Sequence, residues 1–509
     1  MDRSISTKRE LVSFLIKNKF VVTHNFIESL PDDSSSYDRF IKALNECKSK
    51  GKIDFKVFSE SFQHYLSLFS KVDDASTITF SDNKNDINKS HSQEFELKLI
   101  KNFEITPSKK TVSDFVNHFK SRLDKIKPFI LSHKELSSPV SIKKISPKAK
   151  EVSLIGLVYE LNETRNGHIK INLEDDTGMI SCFISKNNQE IFDSAKNELV
   201  LDEIIGIRGV YKKGVIFATH LIFPDIPNTN ELKKLDEEVY AVVFSDFHVG
   251  SSFFLEDSFN KFLDWINGKL GNYEQKKIAL KTRFLFIAGD IVAGVGIYPN
   301  QESELNINDI DNQYKAFFDL MKKIPKYIKI IITPGNHDAM RLSEPQPPIP
   351  KRFAKDLEDF DNIMFVSNPA YLEITSKRSH NSLNVLLYHG YSFDHYIANI
   401  PMLRFNGGYD ATDELMKLLL KKRHLAPTHT SSLYIPGNDH LVIDIIPDIF
   451  ITGHVHKYKS AMYKNITLIN GSCWEAKTSF QEKVGHEPEP SRVAVVNLNT
   501  RKVKTINFQ

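Results

Sequence analysis

The spacing of apolar positions changes along the chain and divides it into segments of different predicted structure. In residues 1–70 the apolar positions recur three and four residues apart, as in Leu11 and Leu15 behind a capping box of Thr7 and Glu10. A second stripe at this spacing follows: Tyr37, Phe40, Ile41 and Leu44. We therefore predict a small helical N-terminal module, which is either a partner-docking element or, as we favour, a self-contained bundle.

Polar residues then dominate before helical spacing returns. Residues 71–95 are rich in serine, aspartate and asparagine, which is typical of a flexible linker. Residues 96–149 are predicted to be a helical connector, with a helix that begins at the capping pair Thr111 and Asp114 and ends at Pro128. Its apolar face is Val112, Phe115, Val116, Phe119, Leu123 and Ile126. This face suits either a partner or the helix's own domain, and we favour the second.

Short alternating segments separated by turns fill residues 150–230. A tight turn at residues 174–178 and a helix near residues 188–195 interrupt the predicted strands, and this order resembles an OB-fold barrel. Such barrels bind single strands through aromatic side chains on a basic face. The aromatic residues here are sparse and fit core positions: Tyr159, Phe183, Phe192, Tyr211 and Phe217. Scaffolding is therefore favoured, and direct nucleic-acid binding stays an alternative.

In residues 235–509 strand-like runs alternate with helical patterns, which predicts an α/β sandwich. Five of the strand-like runs are Val239 to Phe244, Arg283 to Ala288, Ile328 to Thr333, Val385 to Tyr388 and Ile449 to Thr452. Each is followed by a polar cluster; the five clusters are Asp246-Phe247-His248, Gly289-Asp290, Gly335-Asn336-His337-Asp338, His389-Gly390 and Gly453-His454-Val455-His456. Ligands at the ends of buried strands converge at one edge of a sheet, so we expect these side chains to form one site.

The clusters provide the ligands of a two-metal hydrolytic site. Asp290 is the best bridging carboxylate; the other candidate ligands are Asp246, His248, Asn336, His389, His454 and His456. All offer nitrogen or oxygen and none a thiolate, which suits Mn²⁺, Fe²⁺ or Zn²⁺ in near-octahedral shells. We select two divalent ions, with Mn²⁺ as the preferred metal. His337 is the candidate proton donor to a leaving oxygen, and Asp338 is expected to orient its ring.

Composition narrows the class of protein. The 509 residues are 41% hydrophobic and 26% charged, which is normal for a globular protein. The formal net charge is only +3, so the chain as a whole would not bind nucleic acid by charge alone. The three cysteines, Cys47, Cys182 and Cys473, show no C-x-x-C spacing, which argues against zinc ribbons and disulfides. The chain begins without a signal-peptide pattern and has no run of about 18 apolar residues. We therefore expect a cytoplasmic protein.

The clusters resemble the motif series of the calcineurin-like metallophosphoesterase superfamily, which reads D-x-H, G-D, G-N-H-D/E, H and G-H-x-H. Surrounding residues resemble one family within it more closely, the small subunits of archaeal DNA polymerase D. The segments that carry this resemblance are residues 245–251 (SDFHVGS), 294–299 (GVGIYP), 334–341 with 344–347, 388–390 and 422–427 (KRHLAP). The resemblance extends from about residue 100 to residue 509, because the barrel and the helix around Phe115 also take part.

This resemblance implies an αββα phosphoesterase fold and a 3′→5′ exonuclease that acts on single-stranded or mismatched DNA ends. It also implies a larger partner subunit that carries the polymerase activity. One ion would be held by Asp246, His248, Asp290 and His456, and the other by Asp290, Asn336, His389 and His454. His337 would be the catalytic acid, with Asp338 beside it, and Arg341 a substrate-binding residue.

One position departs from the family pattern. Where the family usually has a second aspartate three residues after the first, this chain has Ala293. We assign that position a supporting role, so all predicted ligands remain. Two alternatives to a polymerase-associated exonuclease are a stand-alone phosphoesterase and a non-enzymatic assembly subunit. The barrel disfavours the first alternative, and the complete ligand set disfavours the second.

Overall fold

The computed structural model describes residues 7–18, 20–22, 24–32, 34–49, 57–58, 62, 95–103, 108–357 and 361–509. These belong to two compact units, Met1–His91 and Ser92–Gln509. None of the helices in these ranges has both the length and the apolar character needed to span a bilayer.

The described part of the first unit contains short helices and one pair of strands. They are α1 (Lys8–Lys17), α2 (His24–Glu28), α3 (Ser34–Ser49), β1 (Val21–Val22) and β2 (Val57–Phe58). The predicted capping box is confirmed, because the Glu10 N–H donates to Thr7 Oγ1 at 3.2 Å and the Thr7 N–H donates to Glu10 Oε2 at 3.1 Å. The linker predicted for residues 71–95 lies outside the described residues except for Phe95.

The second unit contains the following helices: α4 (Val112–Leu131), α5 (Gln189–Glu198), α6 (Glu256–Ile266), α7 (Tyr273–Lys281), α8 (Ile310–Met321), α9 (Phe393–Asn399), α10 (Pro401–Phe405), α11 (Thr412–Lys422) and α12 (Ser479–Val484). Its strands are β3 (Phe95–Lys101), β4 (Glu151–Glu163), β5 (Ile169–Asp175), β6 (Gly178–Ile184), β7 (Ile204–Lys212), β8 (Val215–Ile222), β9 (Tyr240–Phe244), β10 (Thr282–Ala288), β11 (Lys329–Thr333), β12 (Ile363–Phe365), β13 (Ala370–Ser376), β14 (Ser382–Leu387), β15 (Ile449–Thr452), β16 (Lys459–Tyr463), β17 (Ile466–Asn470), β18 (Arg492–Asn497) and β19 (Val503–Asn507).

Strands β4 to β8 form a closed barrel in the order β4-β5-β6-β8-β7, with α5 between β6 and β7. Alternate residues such as Leu154, Ile171 and Ile207 fill its interior. The expectation that all barrel aromatics are core residues is wrong. Because side chains alternate along a strand, Tyr159 and Phe217 point outward and are 57% and 47% exposed.

Two six-stranded sheets form the rest of the unit, in the orders β12-β11-β10-β9-β18-β19 and β16-β17-β15-β14-β13-β3. One apolar cluster contains residues of both sheets, such as Val243 and Val385, so the sheets pack face to face. The opposite face of the first sheet packs on α6, α7 and α8, and that of the second on α9 and α11. The predicted α/β sandwich is therefore present, with four layers in the order helix, sheet, sheet, helix.

The helical connector predicted for residues 96–149 differs from the structure in two places. Phe95–Lys101 is strand β3, which pairs antiparallel with β13 at the edge of the second sheet. Helix α4 runs through Pro128 to Leu131, so its predicted end at Pro128 is wrong. Packing outweighs the proline here, because Ile130 is fully buried and a Cβ on Gly206 would lie 2.8 Å from Ile130 Cγ2.

The predicted apolar face of α4 divides into two parts. Leu123 and Ile126 are buried against the barrel, as the favoured interpretation expected. Val112 is 81% exposed and Val116 is 47% exposed, and with Tyr159 of the barrel Val116 lines a groove of about 330 Å³. The first turns of α4 therefore leave apolar surface that the described part of this chain does not cover.

The KRHLAP segment at residues 422–427 ties the barrel and α4 to the sandwich. Lys422 Nζ lies 2.7 Å from Glu203 Oε2 of the barrel, and both side chains are buried. The Arg423 guanidinium lies 4.0 Å from the centre of the Phe129 ring. His424 Nε2 lies 2.9 Å from Asp439 Oδ2, the same carboxylate oxygen that accepts from Arg122 of α4. This segment thus has a structural role in joining the layers.

Candidate metal centre

The five polar clusters meet at one edge of the sandwich because the strands before them are parallel within each sheet. Strands β9, β10 and β11 are parallel neighbours, as are β14 and β15. Backbone hydrogen bonds join the loops that follow them: the Asp246 N–H donates to Gly289 O at 3.0 Å, and the His248 N–H to Asp290 O at 3.1 Å. The loops are therefore fixed relative to one another before any side chain binds a ligand.

Two glycines allow the loops to approach closely. Gly289 has φ of +89°, and a Cβ there would lie 2.9 Å from Gly335 N. A Cβ on Gly335 would clash with Asp290 Oδ1 and lie 2.6 Å from Asp290 N. These positions explain why glycine precedes both Asp290 and Asn336 in the sequence.

The first group of ligand atoms surrounds Asp246. His248 Nε2 and His456 Nε2 lie 3.0 Å apart, and they are 3.9 Å and 3.6 Å from Asp246 Oδ1. His248 Nε2 is also 4.0 Å from Asp290 Oδ2. Asp246 Oδ1 is buried without a hydrogen-bond partner among the described residues. A buried carboxylate oxygen without a donor, beside two imidazole nitrogens, fits a divalent cation.

The second group surrounds His389. Its Nδ1 donates to the Ala288 carbonyl at 2.7 Å, so in the neutral ring Nε2 carries the lone pair. That Nε2 lies 2.9 Å from Asn336 Oδ1, 3.3 Å from Asp290 Oδ2 and 3.3 Å from His454 Nδ1. These four nitrogen and oxygen atoms all act as acceptors when the two rings are neutral. No described residue then donates a hydrogen bond among them.

Electrostatics shows the same shortage of positive charge. Burial raises the pKa of Asp246 to about 7 and lowers that of His248 to about 3. Burial acts to lower the pKa of His389, but Asp290 overcomes it and raises that pKa to about 10. The carboxylate of Asp290 thus favours a positive charge at this place, and a divalent cation would supply that charge.

His337 and Asp338 occupy different surroundings from each other. The His337 ring lines the cavity, and its Nδ1 donates to the Ala293 carbonyl at 2.8 Å, which leaves Nε2 toward the site. Asp338 is buried and accepts from the Gly335 N–H at 2.7 Å and the Tyr314 hydroxyl at 3.4 Å. Asp338 therefore does not orient the His337 ring, contrary to expectation; it holds the loop, because adjacent residues point to opposite sides.

Arg341 is not among the described residues that line the cavity, and its predicted contact with substrate stays a prediction. Its guanidinium donates to the carbonyl oxygens of Ser343 at 3.4 Å and Pro345 at 2.7 Å. Arg341 thus helps to hold the loop that follows the Asn336 cluster.

Two further residues contact candidate ligands although no motif in the sequence indicated them. Asp394 Oδ2 lies 2.9 Å from His454 Nε2, and the Gln481 amide lies 2.9 Å from His456 Nδ1. Such outer contacts fix the orientation of imidazole ligands. Ala293, the departure from the family pattern, contributes its carbonyl to His337, and any residue would offer that group. Burial acts to raise the pKa of Asp394, but His454 holds it at about 2.

A cavity of about 270 Å³ opens onto the candidate ligands, and five of the seven line it: His248, Asp290, Asn336, His454 and His456. Its opposite walls carry aromatic side chains: Tyr298, Tyr391, Tyr409 and Phe480. Among the described residues that line it, none is lysine or arginine.

The fold and this ligand set define a class in which an α/β sandwich holds histidine, aspartate and asparagine at the ends of parallel strands. The family model for the B subunits of DNA polymerases alpha and epsilon matches residues 242–460. The chain is 38% identical over 395 residues to the DNA polymerase II small subunit of Methanothermobacter thermautotrophicus, and the match covers 77% of this chain and 79% of that one.

The DNA polymerase II small subunit of Archaeoglobus fulgidus is 40% identical over 389 residues, 75% of each chain. That of Pyrococcus abyssi is 37% identical over 404 residues, 78% of this chain and 63% of the relative. The chain belongs to the family of archaeal DNA polymerase II (polymerase D) small subunits, which confirms the resemblance found in the sequence.

Proposed function

We propose that this chain is a metal-dependent 3′→5′ exonuclease subunit of a replicative DNA polymerase, acting on single-stranded or mismatched DNA ends. One observation carries the proposal: seven nitrogen- and oxygen-donor side chains converge at one edge of the sandwich in a member of a polymerase small-subunit family. A subunit that served only for assembly would have no need to bury these groups together, since each costs free energy when it lacks a partner.

Seven residues hold two divalent ions in this proposal. Asp246, His248 and His456 would hold the first and Asn336, His389 and His454 the second. Asp290 lies near both groups and would be shared between them. Nitrogen and oxygen donors without thiolate suit Mn²⁺, Fe²⁺ and Zn²⁺, and of these we choose Mn²⁺. When bound, the ions neutralise phosphate charge and activate water for in-line attack.

The chain's own groups orient the substrate and transfer a proton. The His337 backbone N–H donates to Asp290 Oδ1 at 2.7 Å, which fixes the shared carboxylate. The Ala293 carbonyl holds His337 Nδ1–H, so His337 Nε2 faces the cavity. In the imidazolium form the Nε2–H proton passes to the leaving 3′ oxygen, and the ring is left neutral with its proton on Nδ1. Asp394 and Gln481 hold the rings of His454 and His456.

The polymerase activity belongs, in this proposal, to a larger partner subunit. In this proposal the closed barrel is an OB-fold. Two features support that assignment: α5 lies between the third and fourth strands along the chain, and the fifth strand pairs with both of these. The groove between α4 and the barrel exposes Val116 and Tyr159, and apolar surface of this kind suits a stable protein interface. We propose that the partner binds the barrel and the adjoining sandwich surface.

Asp290→Asn tests the shared carboxylate. We expect the wild-type chain to bind two Mn²⁺ ions by elemental analysis and to digest single-stranded DNA, with no digestion in EDTA. Asp290→Asn should bind fewer than two ions and lose digestion, because an amide is a poorer ligand than a carboxylate. Asp311→Asn, on an exposed face of α8, is the matched control and should behave as wild type. Two bound ions and wild-type digestion in Asp290→Asn would contradict the assignment.

A further inference from the structure

The GVGIYP segment at residues 294–299 has no part in metal binding, yet it forms one wall of the catalytic cavity. Tyr298 lines the cavity together with Phe480, and the two rings stack with centroids 5.6 Å apart and planes 26° apart. Tyr298 is held in place because its hydroxyl donates to Glu304 Oε2 at 2.9 Å. The wall is therefore a fixed pair of rings that comes from two distant parts of the chain.

Phe480 remains half exposed in this pair, although it is a large apolar side chain. It is 49% exposed, with one ring face toward Tyr298. The next residue, Gln481, contacts His456 Nδ1 at 2.9 Å, so Phe480 lies directly beside a residue that holds a candidate metal ligand. An exposed phenylalanine at this place is suited to bind a flat apolar group adjacent to the metal centre.

The charge of the cavity indicates what that group is. No lysine or arginine occurs among the described residues that line it, so these residues offer a phosphate no permanently cationic side chain. The rings of Tyr298 and Phe480 are then the part of the cavity suited to bind the portion of the substrate that does not react. A nucleobase has a π face for stacking, whereas a phosphorylated serine or an inorganic phosphate offers nothing to these rings.

We propose that Tyr298 and Phe480 form a stacking platform for the terminal base of a single-stranded DNA end whose phosphodiester lies at the metal centre. This inference rests on the proposed exonuclease function and deepens it by naming the part of the substrate that is recognised. Because every base has a π face, and the Tyr298 hydroxyl is engaged by Glu304, the platform accepts all four bases. A duplex end would have to unpair before its base reached the platform, so mismatched ends bind more readily.

The test compares single-stranded oligonucleotides that end in two normal nucleotides or in two abasic ones. Both carry phosphorothioate linkages at the 3′ end to stop hydrolysis, and their Kd for the full chain in Mn²⁺ is measured by fluorescence anisotropy. We expect wild type to bind the base-bearing end about ten-fold more tightly than the abasic end. Phe480→Ala should abolish that preference by weakening only the base-bearing end, and Phe480→Trp should preserve it.

Phe405→Ala is the control, because Phe405 is 76% exposed and does not line the cavity. It should keep the preference of about ten-fold. The proposal is overturned if wild type binds both ends equally, if Phe480→Ala weakens both equally, or if Phe405→Ala matches Phe480→Ala. Digestion of unmodified DNA by wild type is measured in parallel. Its absence counts against the exonuclease function, and an unchanged base preference in Phe480→Ala counts against the platform alone.

Discussion

Five of the predicted metal ligands have a backbone conformation that residues other than glycine rarely adopt. Asp246, His248, Asp290, His454 and His456 all have φ between +50° and +73°. A non-glycine residue in this left-handed region costs free energy and persists where the surrounding structure fixes it. The hydrogen bonds between the loops after β9 and β10 provide that constraint. The backbone conformation at these candidate ligands therefore lowers the stability of the fold.

His337→Ala should separate proton transfer from metal binding. The His337 ring contacts the Ala293 carbonyl and faces the cavity, but its backbone N–H rather than its ring holds Asp290. We therefore expect two bound Mn²⁺ ions by elemental analysis and turnover reduced by about 10²–10⁴-fold. Loss of a metal ion together with activity would make His337 a ligand instead.

Which residues reach the site was only partly predictable from the sequence. The seven candidate ligands were found because each follows a strand-like run, and parallel strands bring their ends together. Asp394 and Gln481 gave no signal, since their contacts with His454 and His456 depend on how distant helices pack. Asp338 was assigned by its place beside His337, but its carboxylate accepts from a backbone N–H instead. Arg341 was assigned from the family resemblance, which does not show that its guanidinium donates to two nearby carbonyls.

Among the elements, the buried strands were the most predictable. The run Ile449 to Thr452 matches β15 at both ends, and the runs before Asp246, Asp290 and Asn336 differ from β9, β10 and β11 by one residue at the start. Strand β3 was missed because it is a half-buried edge strand, whose alternation is weak until β13 is placed beside it. The end of α4 was missed because Ile130 packs against a barrel that lies far along the chain.

The buried pair Lys422–Glu203 tests how the barrel is joined to α11. Burial lowers the pKa of Lys422 and raises that of Glu203, and each side chain is the other's ion-pair partner at 2.7 Å. Lys422→Met should lower the free energy of unfolding by about 3–5 kcal/mol, because Glu203 is left buried without a counter-charge. Thermal and denaturant unfolding measure this.

The control for this pair is Lys315→Met, which removes an exposed ion pair with Asp319 on α8. It should cost no more than about 1 kcal/mol. The double variant Lys422→Met, Glu203→Leu should recover most of the lost stability, since no charge is then left buried. Equal losses in the single and double variants would contradict a role for the unpaired carboxylate.

At the scale of the whole molecule, the two compact units predict which part binds a partner. The exposed groove of α4 and the barrel belongs to the unit Ser92–Gln509. Since the groove lies within residues 92–509, we expect both the full chain and this fragment to co-elute with the large polymerase subunit in size-exclusion chromatography. A complex that survives the column should have an interface of at least about 1,000 Å². The truncation begins before Phe95 so that β3 keeps its place beside β13.

Val116→Glu in the groove should weaken that association, since it places a charge on an apolar interface, while Phe405→Ala should leave it unchanged. Co-elution of the full chain but not of residues 92–509 would place the main contact in residues 1–91. Failure of both to co-elute would favour the stand-alone phosphoesterase.

The direction of digestion tests the central claim most directly. Single-stranded DNA labelled at its 5′ or its 3′ end is incubated with Mn²⁺ and the full chain, alone and with the large subunit, beside Asp290→Asn. The account predicts that 5′-labelled DNA shortens one nucleotide at a time, that 3′-labelled DNA releases labelled mononucleotide first, and that Asp290→Asn does neither. Release from the 5′ end, or no cleavage by wild-type protein that has bound its metal ions, would contradict it.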